Sequence, residues 1–173
     1  MHHYYMHRRS AQGFTLVELL VVIAIIAILA AVVVLIINPL ELTRRSRDVS
    51  RLSDFDNLQK AINIVVQDAP NGGSILCTGV TSPCTGRSDT GTRALNGGGW
   101  VKANFTGQTT ITIPTLPVDP TNNETFHYTY YSDSTDYELN AVLESAQQIS
   151  KMTNDGGNNN SAYETGTKLT LMP

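Results

Sequence analysis

The segment from Phe14 to Ile37 constrains this chain more than any other. Across these 24 residues only Thr15 and Glu18 are polar. As a helix it would be about 36 Å long, against roughly 30 Å of bilayer hydrocarbon. Isoleucine and valine, which fill much of it, are indifferent helix formers in water. In lipid the backbone has to hydrogen-bond within itself, so helix wins. A cleaved secretory signal has a shorter apolar core and a small-residue cleavage site after it, and this run fits neither description. The segment is predicted to be a membrane-spanning helix. Glu18 resists that reading, because a carboxylate at bilayer depth costs about 2.5–3.5 kcal/mol or more.

Charge does not orient the span. Arg8 and Arg9 precede it and suit a cytoplasmic start, but Arg44, Arg45, Arg47 and Arg51 follow it. The rest of the chain decides. It is rich in Gly, Thr, Ser and Asn and sparse in charge, which favours a loop-rich, β-containing module outside the cytoplasm. Its two cysteines, Cys77 and Cys84, lie close together without a neighbouring histidine or a second pair, which argues against zinc. In an exported domain they form a local disulfide; the alternative is two free thiols in a loop. With a net charge of −3 and no basic patch interleaved with aromatics, no nucleic-acid surface is predicted.

Pro39 cannot donate to the carbonyl of Leu35, so a kink or weakened turn is expected there. Helical periodicity then resumes over residues 38–67. Val49, Leu52, Phe55, Leu58, Ile62 and Val65 recur at steps of three or four, while Arg44, Arg47, Asp48, Arg51, Asp54 and Lys60 take the opposite face. The apolar stripe is expected to pack on a sheet. Residues 68–99 read as irregular. "WVKANF" and "TTITI" are short β-like runs, "LPVDP" is a firm break, and "FHYTYY" and "DYELNAVLE" form an antiparallel hairpin across "SDST". In its second strand Tyr137, Leu139, Ala141 and Leu143 alternate with Glu138, Asn140, Val142 and Glu144, the pattern of a half-buried strand. Tyr128 and Tyr130 share one face, and His127 is an exposed residue on the other. "YETGTKLTLM" supplies a closing strand. The fold class is α+β, with the helix stripe covering a small antiparallel sheet in the head, 68–173.

The stretch "RRSAQGFTLVELLVVIAIIAILAAVVV" resembles the class III signal of type IV pilins and type II secretion pseudopilins. It has the short basic leader, Gly, Phe, three residues, Glu and then the apolar helix. The resemblance implies cleavage between Gly13 and Phe14 by a prepilin peptidase, loss of the leader 1–13, and methylation of the new Phe14 amine. Losing Arg8 and Arg9 moves the side-chain balance from −3 to −5. It also implies a role for Glu18. In a filament the helices bundle in a water-poor core, and Glu18 of one subunit pairs with the Phe14 amine of its neighbour. Each charge is costly alone at low dielectric, and pairing recovers much of that cost. The alternative is a carboxylate that is protonated, or tolerated by the helix N-terminus.

"LPVDP" before the Tyr-rich hairpin is similar to the major pseudopilins, which have a tryptophan and glycine soon after the Asp-Pro. "TNNETFHY" stands here instead, so the resemblance does not separate pilus from pseudopilus. That subgroup carries a calcium loop near the C-terminus. In "NDGGNNNSAYE" the residues Asp155, Asn158, Asn160 and Glu164 offer oxygens for calcium, although Asn/Gly clusters are also ordinary turn chemistry.

No catalytic elbow, phosphate loop or His/Cys pairing near a nucleophile is present in the sequence, so no enzyme is expected. The leading expectation is a structural filament subunit. It would sit single-pass in the cytoplasmic membrane with its C-terminal domain outside, then polymerise with itself through an assembly platform and its ATPase into a cell-surface or periplasmic fibre. A monomeric, membrane-tethered binding module is the alternative. A secreted protein released by ordinary signal cleavage is a weaker third.

Overall fold

The computed structural model describes residues 13–69, 75–108 and 113–172. The chain divides into two compact units, Met1–Pro39 and Leu40–Pro173. The architecture is α+β: a long N-terminal helical stretch and a small four-stranded antiparallel sheet.

In the first unit α1 spans Leu16–Ile37 and has no buried residue. It is long and apolar enough to cross a membrane. Its N-cap is Thr15, in an extended conformation. Its end falls at Asn38, in the left-handed region at φ 46°, a conformation that asparagine tolerates better than most residues. Pro39 then opens α2, Pro39–Asp68. Proline suits a first helical position because its missing N–H has no intrahelical partner there. The expected interruption is therefore a one-residue break at Asn38.

In the head, α2 buries Asp48, Arg51, Phe55, Leu58, Ala61, Ile62 and Val65. The sheet runs in the order β1-β2-β3-β4, with β1 at Cys84–Arg87, β2 at Thr129–Ser132, β3 at Tyr137–Ala141 and β4 at Tyr163–Gly166. A 3₁₀ turn, Ile149–Thr153, lies between β3 and β4. One face of the sheet is placed on α2 by three polar contacts. Tyr128 Oη donates to Asp54 Oδ2 at 2.8 Å, Tyr137 Oη to Asn63 Oδ1 at 2.9 Å, and Thr165 Oγ1 to Gln59 Oε1 at 3.1 Å. Between them lies the core of Phe55, Leu58, Ile62, Val65, Trp100, Tyr128, Tyr130 and Leu139.

Four sequence expectations are corrected. The stripe of α2 does not begin at Val49, which is 58% exposed; Asp48 and Arg51, assigned to the polar face, are fully buried. Charge is tolerated there because each group is paired, as described below. Next, β3 is buried on both faces rather than half-buried. The chain after it returns over the outer face, where Leu171 and Met172 donate backbone N–H groups to Glu138. Third, β1 lies inside the stretch read as irregular. Finally, "WVKANF" makes no ladder beyond a single bridge between Asn96 and Asn104. Its Trp100, Val101, Ala103 and Phe105 are all buried. Trp100 sits on Gly86 of β1, where a Cβ would overlap its backbone. "TTITI" lies, except for Ile113, outside the described residues. The hairpin pairs Tyr130 with Leu139 and Ser132 with Tyr137. Cys77 and Cys84 form a disulfide.

Candidate functional site

Three groups of residues carry the chemistry: the junction before α1, a charged cluster at the start of the head, and a pair of carboxylates on the sheet's outer face.

Gly13, Phe14 and Thr15 precede the helix and are exposed, Phe14 at 86%. A Cβ added at Gly13 would meet nothing. The Gly13–Phe14 peptide bond is thus accessible and outside regular structure, as a scissile bond requires. The rest of the expected leader lies outside the described residues. The structure gives Glu18 a local partner that the sequence reading passed over. Its Oε2 accepts from Thr15 N at 2.9 Å and from Thr15 Oγ1 at 2.8 Å, while Glu18 N donates to Thr15 Oγ1 at 3.2 Å. This is a capping box, in which residues three apart satisfy each other's unpaired backbone donors. Threonine followed three residues later by glutamate was its visible signal.

In the head, Arg51 is enclosed by carboxylates. Its guanidinium donates to both oxygens of Asp119, at 2.6 and 3.0 Å, and to Asp48 Oδ1 at 2.8 Å. Glu144 Oε1 lies 2.7 Å from its Nη1. Phe126 covers it, 5.2 Å from ring centroid to Cζ. Burial works against the charge of Arg51, but the bonds from Asp119 and Glu144 outweigh it and push its pKa up. Arg47 adds a two-pronged contact to Glu144. The acids serve the backbone too. Asp48 accepts from the N–H groups of Glu144 and Ser145, and Asp119 from those of Thr121 and Asn122. One guanidinium therefore ties α2 to the "LPVDP" segment and to the chain leaving β3. The sequence reading used Asp119 only for resemblance, and its burial at 2% had no local signal.

The hydrogen bond from Arg47 holds the Glu144 carboxyl below the usual carboxylate range, against burial and with help from Arg51. A depressed carboxylate stabilises the fold fully above its unfolded pKa, and that stability is lost as pH falls through the lower folded value. The head is expected to lose stability below about pH 4. Thermal unfolding of the full chain in detergent, followed from neutral to acid pH, measures this. A Glu144→Gln variant with the same acid slope as the parent would remove Glu144 as its cause.

On the outer face of the sheet, Glu138 and Glu164 are both buried, on neighbouring strands. Burial, then the neighbouring Glu138, pushes the Glu164 carboxyl up to about 7. Of the residues expected to hold calcium, the structure brings Asp155 and Glu164 together: Asp155 Oδ2 accepts from Glu164 N at 2.8 Å. Asp155 Oδ1 accepts from Gly157 N. Asn158 instead donates to the carbonyl of Met172, and Asn160 is exposed. Among the described residues, no three His, Cys, Asp or Glu side chains gather as a metal-binding group. His127, expected to be an exposed strand residue, is half-buried just before β2, its Nδ1 3.2 Å from the carbonyl of Asn123.

Residues 8–34 match the family model of the prokaryotic N-terminal methylation motif. This is the signature of the prepilin-type signal of type IV pilins and pseudopilins. No curated protein and no solved structure matches the chain.

Proposed function

We propose that this chain is a structural subunit of a type IV pilus-like or type II secretion pseudopilus filament. The observation that carries the reading is the methylation motif over residues 8–34 running into α1, a helix with no buried residue. A uniformly apolar helix with no buried residue needs lipid or other copies of itself around it. Prepilin peptidase cuts between Gly13 and Phe14 and methylates the Phe14 amine. Until then α1 holds the precursor in the cytoplasmic membrane with the head outside. An assembly platform and its ATPase then lift it into a cell-surface or periplasmic fibre, a heterologous, non-closing polymer.

Glu18 takes two parts in this scheme. Its Oε2 caps α1 through Thr15. Its charge pairs with the Phe14 amine of the next subunit, which favours assembly and fixes axial register. No catalytic role is assigned to any residue.

The test is the intact mass and N-terminal peptide of the protein recovered from a membrane that contains an active prepilin peptidase. A chain beginning at N-methylated Phe14 is expected. A chain still beginning at Met1, beside a processed control substrate, would favour the tethered monomer and leave Glu18 with its capping role alone.

A further inference from the structure

Arg44, Arg45, Arg47 and Arg51 follow the span, and the head takes up two of them. Arg47 is paired with Glu144, and Arg51 is buried among Asp48, Asp119 and Glu144. Arg44 and Arg45 stay at the surface, with side chains 50% and 48% exposed. Glu41 lies 3.9 Å from Arg44 and 3.7 Å from Arg45, beyond hydrogen-bonding distance, and its Oε1 accepts from Ala146 N at 2.7 Å. Exposed pairs of this kind hold their charges weakly. The apolar residues around the two arginines are uncovered as well: Leu40 is 72% exposed and Leu42 59%. Exposed Val49 extends the surface, since Leu42, Arg45 and Val49 recur at steps of three and four and so share a face of α2. Leucines mixed with arginines on one exposed helical surface are the composition of a membrane interface.

Chain connectivity says what lies nearby. α1 ends at Ile37 and α2 opens at Pro39. Whichever way the head turns, the rise of α2 keeps Arg44 and Arg45 within about 20 Å of Ile37. With α1 in a bilayer, a headgroup layer of roughly 5–8 Å borders the hydrocarbon at that end. We propose that the first two turns of α2 are a lipid-headgroup contact, in which Leu40 and Leu42 enter the interface and Arg44 and Arg45 donate to the phosphates of anionic phospholipids. A guanidinium offers forked donors that match phosphate oxygens. Its aliphatic stem lies along apolar surface while the charged end reaches the polar layer. The charge of the remaining chain points the same way. Residues 52–173 carry six Lys and Arg against twelve Asp and Glu. An anionic surface repels that part of the head, so the arginines beside the span are what faces the lipid. The contact rests on α1 standing in a bilayer, as proposed above, and belongs to the subunit before assembly. Lifting the chain into a fibre then has to strip these lipids from α2.

The full chain is reconstituted into vesicles of mixed phosphatidylcholine and phosphatidylglycerol. Spin resonance of a trace of either lipid, spin-labelled, measures which one the protein holds. A preference of roughly five-fold for phosphatidylglycerol is expected, about what one arginine near an anionic surface supplies, and it should weaken as salt is added. The double variant Arg44→Gln, Arg45→Gln should lose most of it. Arg44→Lys with Arg45→Lys, which keeps the charge, should retain part. Arg8→Gln with Arg9→Gln, which changes only the charge before the span, should keep most of it. A parent without the preference overturns the proposal, as does a preference that survives Arg44→Gln, Arg45→Gln and disappears with Arg8 and Arg9. Crosslinking between subunits that needs Arg44 and Arg45, with lipid preference unchanged by their loss, overturns it in favour of a second copy on this surface. Flotation with the vesicles is scored separately. A chain that stays behind loses the span and the proposal together, whereas one that floats without lipid preference loses the proposal alone.

Discussion

Replacing Asp119 with alanine is expected to cost the head about 3–5 kcal/mol, the usual penalty for breaking one side of a buried ion pair. Set against a total stability of about 5–15 kcal/mol for a domain, that is close to unfolding. Arg51 is fully buried and donates to both oxygens of Asp119. Without them the guanidinium is left with Asp48 and Glu144, and the N–H groups of Thr121 and Asn122 lose their acceptor as well. Asp119→Asn keeps one acceptor and should cost less. Urea unfolding of the full chain in detergent, followed by circular dichroism at neutral pH, gives both numbers. A loss under about 1 kcal/mol for the alanine variant would place it with ordinary surface substitutions and sink the idea that this cluster fastens the head.

Glu18→Gln is the sharper of two changes at the start of α1. If Glu18 acts only through Thr15, glutamine should serve, because it also completes a capping box, and filaments should form normally. If its charge pairs with the Phe14 amine of the next subunit, both Glu18→Gln and Glu18→Ala strand a cation in a water-poor core. A loss of about 3–5 kcal/mol per contact then corresponds to about two to four powers of ten in association. Filament yield sheared from cells, normalised to membrane-held subunit, is the readout, and both variants are expected to fall below detection. Normal filaments from Glu18→Gln alongside none from Glu18→Ala would reduce Glu18 to a cap.

What could be read in advance was whatever one element states by itself. The unbroken run from Phe14 to Ile37 admits one structure in lipid. The alternation around Tyr128 and Tyr130 and from Tyr137 onward marked the central hairpin. The errors came where distant residues decide. Asp48 and Arg51 looked like a solvated face because their partners lie far along the chain, at Asp119 and Glu144. Glu138 and Asn140 looked solvent-facing for the same reason, since the segment that covers them returns only at its end. β1 was hidden because "CTGR" carries no alternation, and its glycine serves the approach of Trp100. At the N-terminal junction the methylation motif over residues 8–34 was legible because it is written in consecutive residues, whereas the cap between Thr15 and Glu18 was passed over.

The absence of any buried residue in α1 has a consequence for how the chain tolerates change. A surface with no buried residue encodes no particular shape by itself. Within one subunit it requires only length, apolar character and the cap at Thr15 and Glu18; in the proposed filament, the shape it must fit is set by other copies. The head is the reverse. Leu58, Ile62 and Leu139 are locked in a close-packed interior, where a single methylene is felt. Residues 8–34, the stretch that matches the methylation-motif model, take in most of α1, so what marks the chain is written in the segment whose neighbours lie outside the subunit.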